Sequence, residues 1–476
     1  MAMASSIFIY AFFLLISATS SSKLLLFPLT HSLSNSELLN NTHHLLKSTT
    51  SRSITAQGGD YTISFSLGSA PKRTVTLYMD TGSDTVWLPC KPFTCIMCEG
   101  ESDPKTTPPP QNLSASAAPV TCQSRACSAV HSTLPTSDLC AMARCPLESI
   151  EMSECHNYSC PSFYYAYGDG SFVARLYKDN LEIPMSSPPS LVIKNFTFGC
   201  AHESLGEPIG VAGFGRGALS LPAQLAVFSP HLGTQFSYCL VSHSFETERL
   251  RQPSPLILGR VDSVGSENKA KRVPTSQPDD FAYTPMLENS KHPYYYYVGL
   301  EAITVGNHRL PAPENMKTID RKGNGGMVVD SGTTYSMLPE EFYNSVVSEF
   351  AKRMKSGHKR AKAVEDRTGL SPCYYVDEGA KRLVPQMVLH FGGNSSVVMP
   401  RKNYFYEFMD GGDDGKVKRK AGCMMVMNGG YFPESGGPAG LLGNYQQQGL
   451  EVVYDLLKKR MGFARRNCAS LWERLS

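Results

Sequence analysis

Two copies of one short pattern constrain this chain more than anything else in its sequence. Leu77-Tyr78-Met79-Asp80-Thr81-Gly82-Ser83 and Met327-Val328-Val329-Asp330-Ser331-Gly332-Thr333-Thr334 each carry an apolar run straight into Asp-Ser/Thr-Gly-Ser/Thr. The apolar run reads as a buried strand, and the glycine lets the backbone turn tightly after the acid. One such turn is commonplace. Two, about half a chain apart, point to similar half-molecules that each bring one carboxyl group to a shared centre.

The length agrees, since 476 residues exceed what one hydrophobic core usually serves. The expected division is a signal segment at 1–22, a pro-segment at 23–58, an N-terminal lobe at 59–285, a C-terminal lobe at 286–468 and a tail at 469–476. The signal rests on the apolar run Ile7 to Ile16 followed by small residues to Ser22, although no Lys or Arg precedes it. Residues 23–58, rich in Ser, Thr, Asn and His, show no convincing strand series. A net charge of +3 without long runs of one sign argues against a nucleic-acid partner. The C-terminal sequence through Ser476 has no apolar tail, so no stable membrane anchor is expected from it.

Short period-2 stretches between Gly, Pro and Asn turns dominate, which predicts a mainly β architecture with a few short helices. The first ordered strand is expected at Tyr61–Leu67, and the next, Thr74–Met79, delivers Asp80. Leu191–Ile193 and Asn195–Cys200 read as one interrupted strand or two. Ser220 fits an N-cap with Pro222 at an early helix position, and Pro339–Met354 fits a helix burying Phe342, Val346, Phe350 and Met354 at four-residue steps. Gly440–Gly443 reads as the counterpart of Gly210–Gly213. The charged segments Lys352–Arg367 and Asp410–Lys420 read as solvated loops.

Fourteen cysteines indicate disulfides and an oxidising compartment. Nine lie between Cys90 and Cys160, in a Pro/Ser-rich insertion at about 90–160. Four neighbouring pairs at C-x4-C spacing, Cys90/Cys95, Cys122/Cys127, Cys140/Cys145 and Cys155/Cys160, are candidates to close small loops. Because nine is odd, full oxidation needs at least one bond leaving the insertion. If Cys373 pairs with Cys423, Cys468 must reach back to the first lobe. Cys95-Ile96-Met97-Cys98 lacks the second C-x-x-C of a zinc site, so no metal and no cofactor are expected. Sequons at Asn40, Asn112, Asn157, Asn195 and Asn394 fit passage through a secretory pathway to the cell exterior, the cell wall or the vacuole.

Paired acids suit chemistry in which one group acts as base and the other as acid in the same turnover. In a confined site the two share a proton and their titrations separate. Each glycine can offer its N–H to the acid before it. Thr81 and Ser331 carry hydroxyls able to bond across the junction of the halves, and Ser83 and Thr333 are placed to reach the outer carboxylate oxygens.

Several further motifs accompany the pair: Trp87, Tyr167-Gly168-Asp169-Gly170-Ser171, Phe236-Ser237-Tyr238-Cys239-Leu240 and Leu442-Gly443-Asn444-Tyr445-Gln446-Gln447-Gln448. With them the chain resembles pepsin-like aspartic proteases, and among these the plant nepenthesin-like group, from about Tyr61 to Cys468. The cysteine-rich insertion is similar to that group's own. Ser331 stands where animal pepsins have threonine, a change common in the plant group. The resemblance implies a bilobal, pseudo-twofold, mainly β acid-protease fold whose cleft takes an extended peptide or protein substrate. It implies Asp80 and Asp330 as the catalytic pair, with Thr81, Gly82, Ser83, Ser331, Gly332 and Thr333 in support. Tyr167, Gly168 and Asp169 would form a hairpin flap, with Trp87 as the hydrogen-bond partner of Tyr167.

Three rival readings stand beside this one. Some plant members of the fold inhibit xylanases, typically without an intact dyad or flap. Glycosidase acids bracket a sugar and sit farther apart than twin turns allow. A retroviral-type enzyme would need one motif per chain and a dimer, whereas two motifs predict a monomer.

Overall fold

The computed structural model describes residues 25–31, 61–69, 72–98, 109–168, 170–183, 190–206, 208–242, 252–259, 281–354, 358–376, 384–410, 419–430 and 437–476. The expected signal segment, most of 23–58, and Asp169 lie outside them. The fold is mainly β, and its centre is an antiparallel layer to which both halves contribute. In spatial order its strands are Leu25–His31, Ser254–Leu258, Gln235–Cys239, Leu450–Asp455, Arg460–Arg465 and Ala282–Leu287. The join between the halves is the pair Gln235–Cys239 and Leu450–Asp455, in register from Gln235↔Asp455 to Cys239↔Glu451. The order on one side of that join mirrors the order on the other.

Each half repeats one arrangement around its acidic turn. Arg73–Asp80 runs parallel to Val211–Gly213, with Asp80 opposite Gly213, and Val86–Ile96 pairs antiparallel to the same short strand. In the second half Met327–Val329 runs parallel to Gly440–Leu442, and Met337–Leu338 pairs antiparallel to it. The apolar residues before each aspartate are buried on these strands: Leu77, Met79, Val328 and Val329 are all at or below 1% exposure. That burial anchors the strand up to the point where each turn begins.

Most expected elements form as read. Tyr61–Leu67 is a strand with alternating burial. Leu191–Leu205 is one long strand, irregular in its pairing near Asp179 and Leu181, with Asn195 at positive φ. Ser220 caps the helix Leu221–Phe228 by accepting from the Ala223 N–H, and Glu340–Met354 buries the four expected residues. Part of the charged segment 352–367 is not loop, because Lys362–Thr368 forms a helix over Val364.

Two expectations are corrected. Within 23–58, Leu25–His31 is a strand of the central layer, with Leu25, Leu26, Phe27 and Leu29 buried. Pro28 sits within it although proline cannot donate to a ladder. It lies opposite Pro255, so the two missing donors coincide. The C-x4-C pairs do not form either. The bonds are Cys90–Cys200, Cys95–Cys98, Cys122–Cys140, Cys127–Cys160 and Cys145–Cys155. Short helices at Arg125–Val130, Thr136–Met142 and Leu147–Glu151 turn the insertion back on itself, so cysteines 10 to 33 positions apart meet.

The parity argument holds. Cys90 leaves the insertion for Cys200, Cys373 pairs with Cys423, and Cys468 reaches back to Cys239. Beside that last bond, Leu26 packs with Ile257 and Leu471, so an N-terminal strand and the C-terminal helix share one small core. Phe27→Ala is expected to cost about 3–5 kcal/mol, the usual loss for emptying a buried phenylalanine site, measured by denaturant unfolding. Peptide mapping without reduction should recover the Cys239–Cys468 crosslink.

Candidate active site

The two turns meet face to face. The Thr81 N–H donates to Ser331 Oγ at 3.0 Å, and the Ser331 N–H donates to Thr81 Oγ1 at 2.9 Å. Each hydroxyl then donates onward to the opposite strand, Thr81 Oγ1 to the Val329 carbonyl at 3.1 Å and Ser331 Oγ to the Met79 carbonyl at 3.0 Å. Both residues are buried, so each hydroxyl serves as donor and acceptor without help from solvent. These four bonds set the separation of the halves at this point.

The grip brings the carboxyl groups together. Asp80 is 7% exposed and Asp330 9%. The Gly82 N–H donates to Asp80 Oδ1 at 2.7 Å and the Gly332 N–H to Asp330 Oδ1 at 2.8 Å. A Cβ on Gly82 would lie 2.7 Å from the Asp330 carboxyl atoms, and one on Gly332 would collide with Asp80. Glycine is therefore required at both positions by the approach of the opposite acid. Thr333 Oγ1 donates to Asp330 Oδ2 at 2.6 Å. Its counterpart Ser83 is buried and its hydroxyl makes no hydrogen bond of ordinary geometry, though it lies close enough to favour the Asp80 carboxylate.

Burial is the largest cause pushing the Asp80 carboxyl well above the ordinary range, and the charge of Asp330 is the next. Ser83 and the Gly82 N–H pull the other way. One carboxyl ionised beside one protonated is the arrangement that fits such a pair.

Tyr167 stands on the hairpin of Phe163–Ala166 and Ser171–Ile183, with Gly168 at its exposed tip. Trp87 Nε1–H donates to the Tyr167 hydroxyl at 2.6 Å, as expected. Trp87 also stacks on Phe172 at 4.3 Å, and both belong to the small core that the disulfides of the insertion help to form. The insertion thus packs behind this hairpin.

Other residues at the site carried no assigned role in the sequence. Gln447 Nε2 donates to the carbonyls of Asp330 and Leu442, and Asn444 Nδ2 to that of Ser331. Tyr238 donates to Gln447 Oε1 and lies 2.8 Å from the Tyr454 hydroxyl, which is 3.5 Å from Thr81 Oγ1. Their signal was the run Asn444 to Gln448, polar residues directly after an apolar strand. Asp84 accepts from the Tyr165 hydroxyl at 3.3 Å. Burial pushes Asp84 up while that hydroxyl pulls it back, and burial followed by the Asp84 charge pushes Tyr165 up, which keeps it a donor.

Comparisons with known proteins agree with this geometry. Residues 61–260 match the family model described as "Xylanase inhibitor N-terminal", and 295–465 match "Xylanase inhibitor C-terminal". The chain is 55% identical over 492 residues to a "probable aspartyl protease" of Arabidopsis thaliana, covering 96% of each. It is 30% identical to aspartic proteinase nepenthesin-1 of Nepenthes gracilis over 424 residues, 88% of this chain and 80% of that one. Among solved structures, basic 7S globulin from soybean superposes with a TM-score of 0.62 at 20% identity, covering 94% and 99%. Aspartic proteinase from Irpex lacteus does so at 0.55 and 14%, also covering 94% and 99%. The fold is pepsin-like, and the chain belongs to the plant aspartyl protease family that includes the nepenthesins.

An acid whose pKa is raised by folding binds its proton more tightly in the native state. Its stabilising contribution is complete below the unfolded pKa and is lost as pH rises through the folded one. Asp80→Asn is therefore expected to gain melting temperature relative to the parent protein as pH increases, with the smallest difference in acid. Thermal unfolding of both proteins across pH reads this directly.

Proposed function

We propose that this protein is an endopeptidase that hydrolyses peptide bonds at acidic pH, with Asp80 and Asp330 as its catalytic residues. The observation that carries the reading is the pair of buried carboxyl groups brought within contact of each other's glycine turns. Proton sharing by close aspartates is the behaviour for which aspartic-protease dyads are the standard case. The ionised member takes a proton from water as the water oxygen attacks the peptide carbonyl carbon. The protonated member donates to the carbonyl oxygen. The tetrahedral diol then returns its proton through the dyad to the leaving amine, and the C–N bond breaks without a covalent intermediate.

The substrate is an extended peptide or protein segment lying under the hairpin that bears Tyr167 and Gly168. The working unit is a monomer, since one chain supplies both acids. Seven disulfides support passage through an oxidising secretory pathway. No helix among the described residues is long and apolar enough to cross a membrane.

A second reading, a protein-binding inhibitor of cell-wall-degrading enzymes, draws on the names of the matching family models. The intact pair of acids favours the protease. Asp80→Asn and Asp330→Asn are each expected to lower kcat by about 10²–10⁴-fold or more while leaving a cooperative unfolding transition. A peptidase assay in acid, with and without a statine-type inhibitor, decides the matter; parental turnover in either variant, or inhibition of a xylanase by a proteolytically silent parent, overturns the reading. Because burial, and after it the charge of Asp330, raises Asp80, kcat/KM should fall as pH rises through the raised pKa, a fall that the residual activity of Asp80→Asn should lack.

A further inference from the structure

The bond from Trp87 to Tyr167 is not the only one fastening the hairpin to the segment after the first acidic turn. Tyr165 lies two residues before Tyr167, on the same face of its strand. Its ring stacks on Phe172 at 5.6 Å and tilts against Tyr167 at 5.1 Å. Its hydroxyl reaches Asp84 Oδ1 at 3.3 Å. Asp84 and Trp87 therefore hold neighbouring tyrosines of one strand from one short stretch of chain.

Asp84 is itself seated from behind. A Cβ at Gly217 would collide with its carboxylate, so the loop leading to the helix Leu221–Phe228 closes against that side. The other groups facing the pair are the Thr85 hydroxyl, the phenols of Tyr167, Tyr294 and Tyr295, and the Asp80 carboxyl. No cation among them competes for Asp84.

We propose that Asp84 and Tyr165 are positioning residues that latch the hairpin in the closed state that receives the peptide. The proposal rests on the protease reading above and adds a determinant of substrate affinity to it. A cleft covered by a hairpin must open to admit an extended chain. The apparent affinity of the free protein then scales with the fraction already in the competent state. Removing one hydrogen bond of ordinary net strength lowers that fraction, which corresponds to a rise in KM of about 2–10-fold. Once bound, the peptide itself holds the hairpin down, so kcat stays within about twofold.

The test uses the full chain with Tyr165→Phe, Asp84→Ala, Asp84→Asn and the double variant Tyr165→Phe/Asp84→Ala. Amide hydrogen exchange is measured without substrate, and KM and kcat with a peptide substrate in acid. Exchange at residues 163–168 should quicken in Tyr165→Phe and Asp84→Ala while the helix Glu340–Met354 stays unchanged. Asp84→Asn, which keeps an acceptor, should remain within twofold of the parent. The double variant should be no worse than the worse single one. Unchanged exchange at 163–168, loosening across all of 61–260, a fall in kcat at constant KM, additive losses, or Asp84→Asn matching Asp84→Ala would each overturn the latch. A parent that cleaves no peptide defeats the protease reading instead, because the exchange measurement needs no activity.

Discussion

The structure depends on four hydrogen bonds between Thr81 and Ser331 and the strands that precede them. Neither hydroxyl meets solvent, and each occupies both its donating and its accepting capacity on the opposite half. Loss of either would leave a backbone N–H and a carbonyl buried without partners, which is costlier than losing a bond at the surface. The grip can therefore hold two acids at contact despite their mutual repulsion. Bonds that do not involve the carboxyl groups thus add to those from Gly82, Gly332 and Thr333 that do.

Around that point the molecule is symmetric in backbone and unequal in side chains. The parallel strands, the turns and the glycines correspond pair by pair. Thr333 bonds directly to its acid, whereas Ser83 does not. Gln447 and Asn444 donate to carbonyls of the second turn, while the hairpin, Trp87 and the disulfide-stapled insertion gather behind the first. One half is thus braced from beneath by amides, and the other carries the cover.

Much of this was legible in the sequence because it follows from local rules. The acidic turns, the Tyr61–Leu67 strand, the Ser220 cap and the four-residue spacing of Phe342 to Met354 each need only neighbours along the chain to be recognised. The odd cysteine count also required one bond to leave the insertion, without saying which cysteine makes it, and assigning Cys373 to Cys423 then sent Cys468 back towards the first half. What was hidden depends on folding in three dimensions. The pairing of Cys122 with Cys140 needs the helices between them, and Pro28 meets Pro255 only once the chain has brought the two strands together. The contact of Tyr165 with Asp84 joins positions whose separation carries no pattern.

The central layer also has a bearing on how the chain is made. Its middle pair joins Gln235–Cys239 to Leu450–Asp455, and the strand Leu25–His31 packs beside a helix that begins at Cys468. During synthesis, the first half must wait with one flank of its sheet uncovered until residues 450–455 have left the ribosome. Such long-range closure is slow and leaves strand edges open to self-association. Assembly of this layer is accordingly late, and nascent chains stopped short of residue 450 should depend heavily on chaperones.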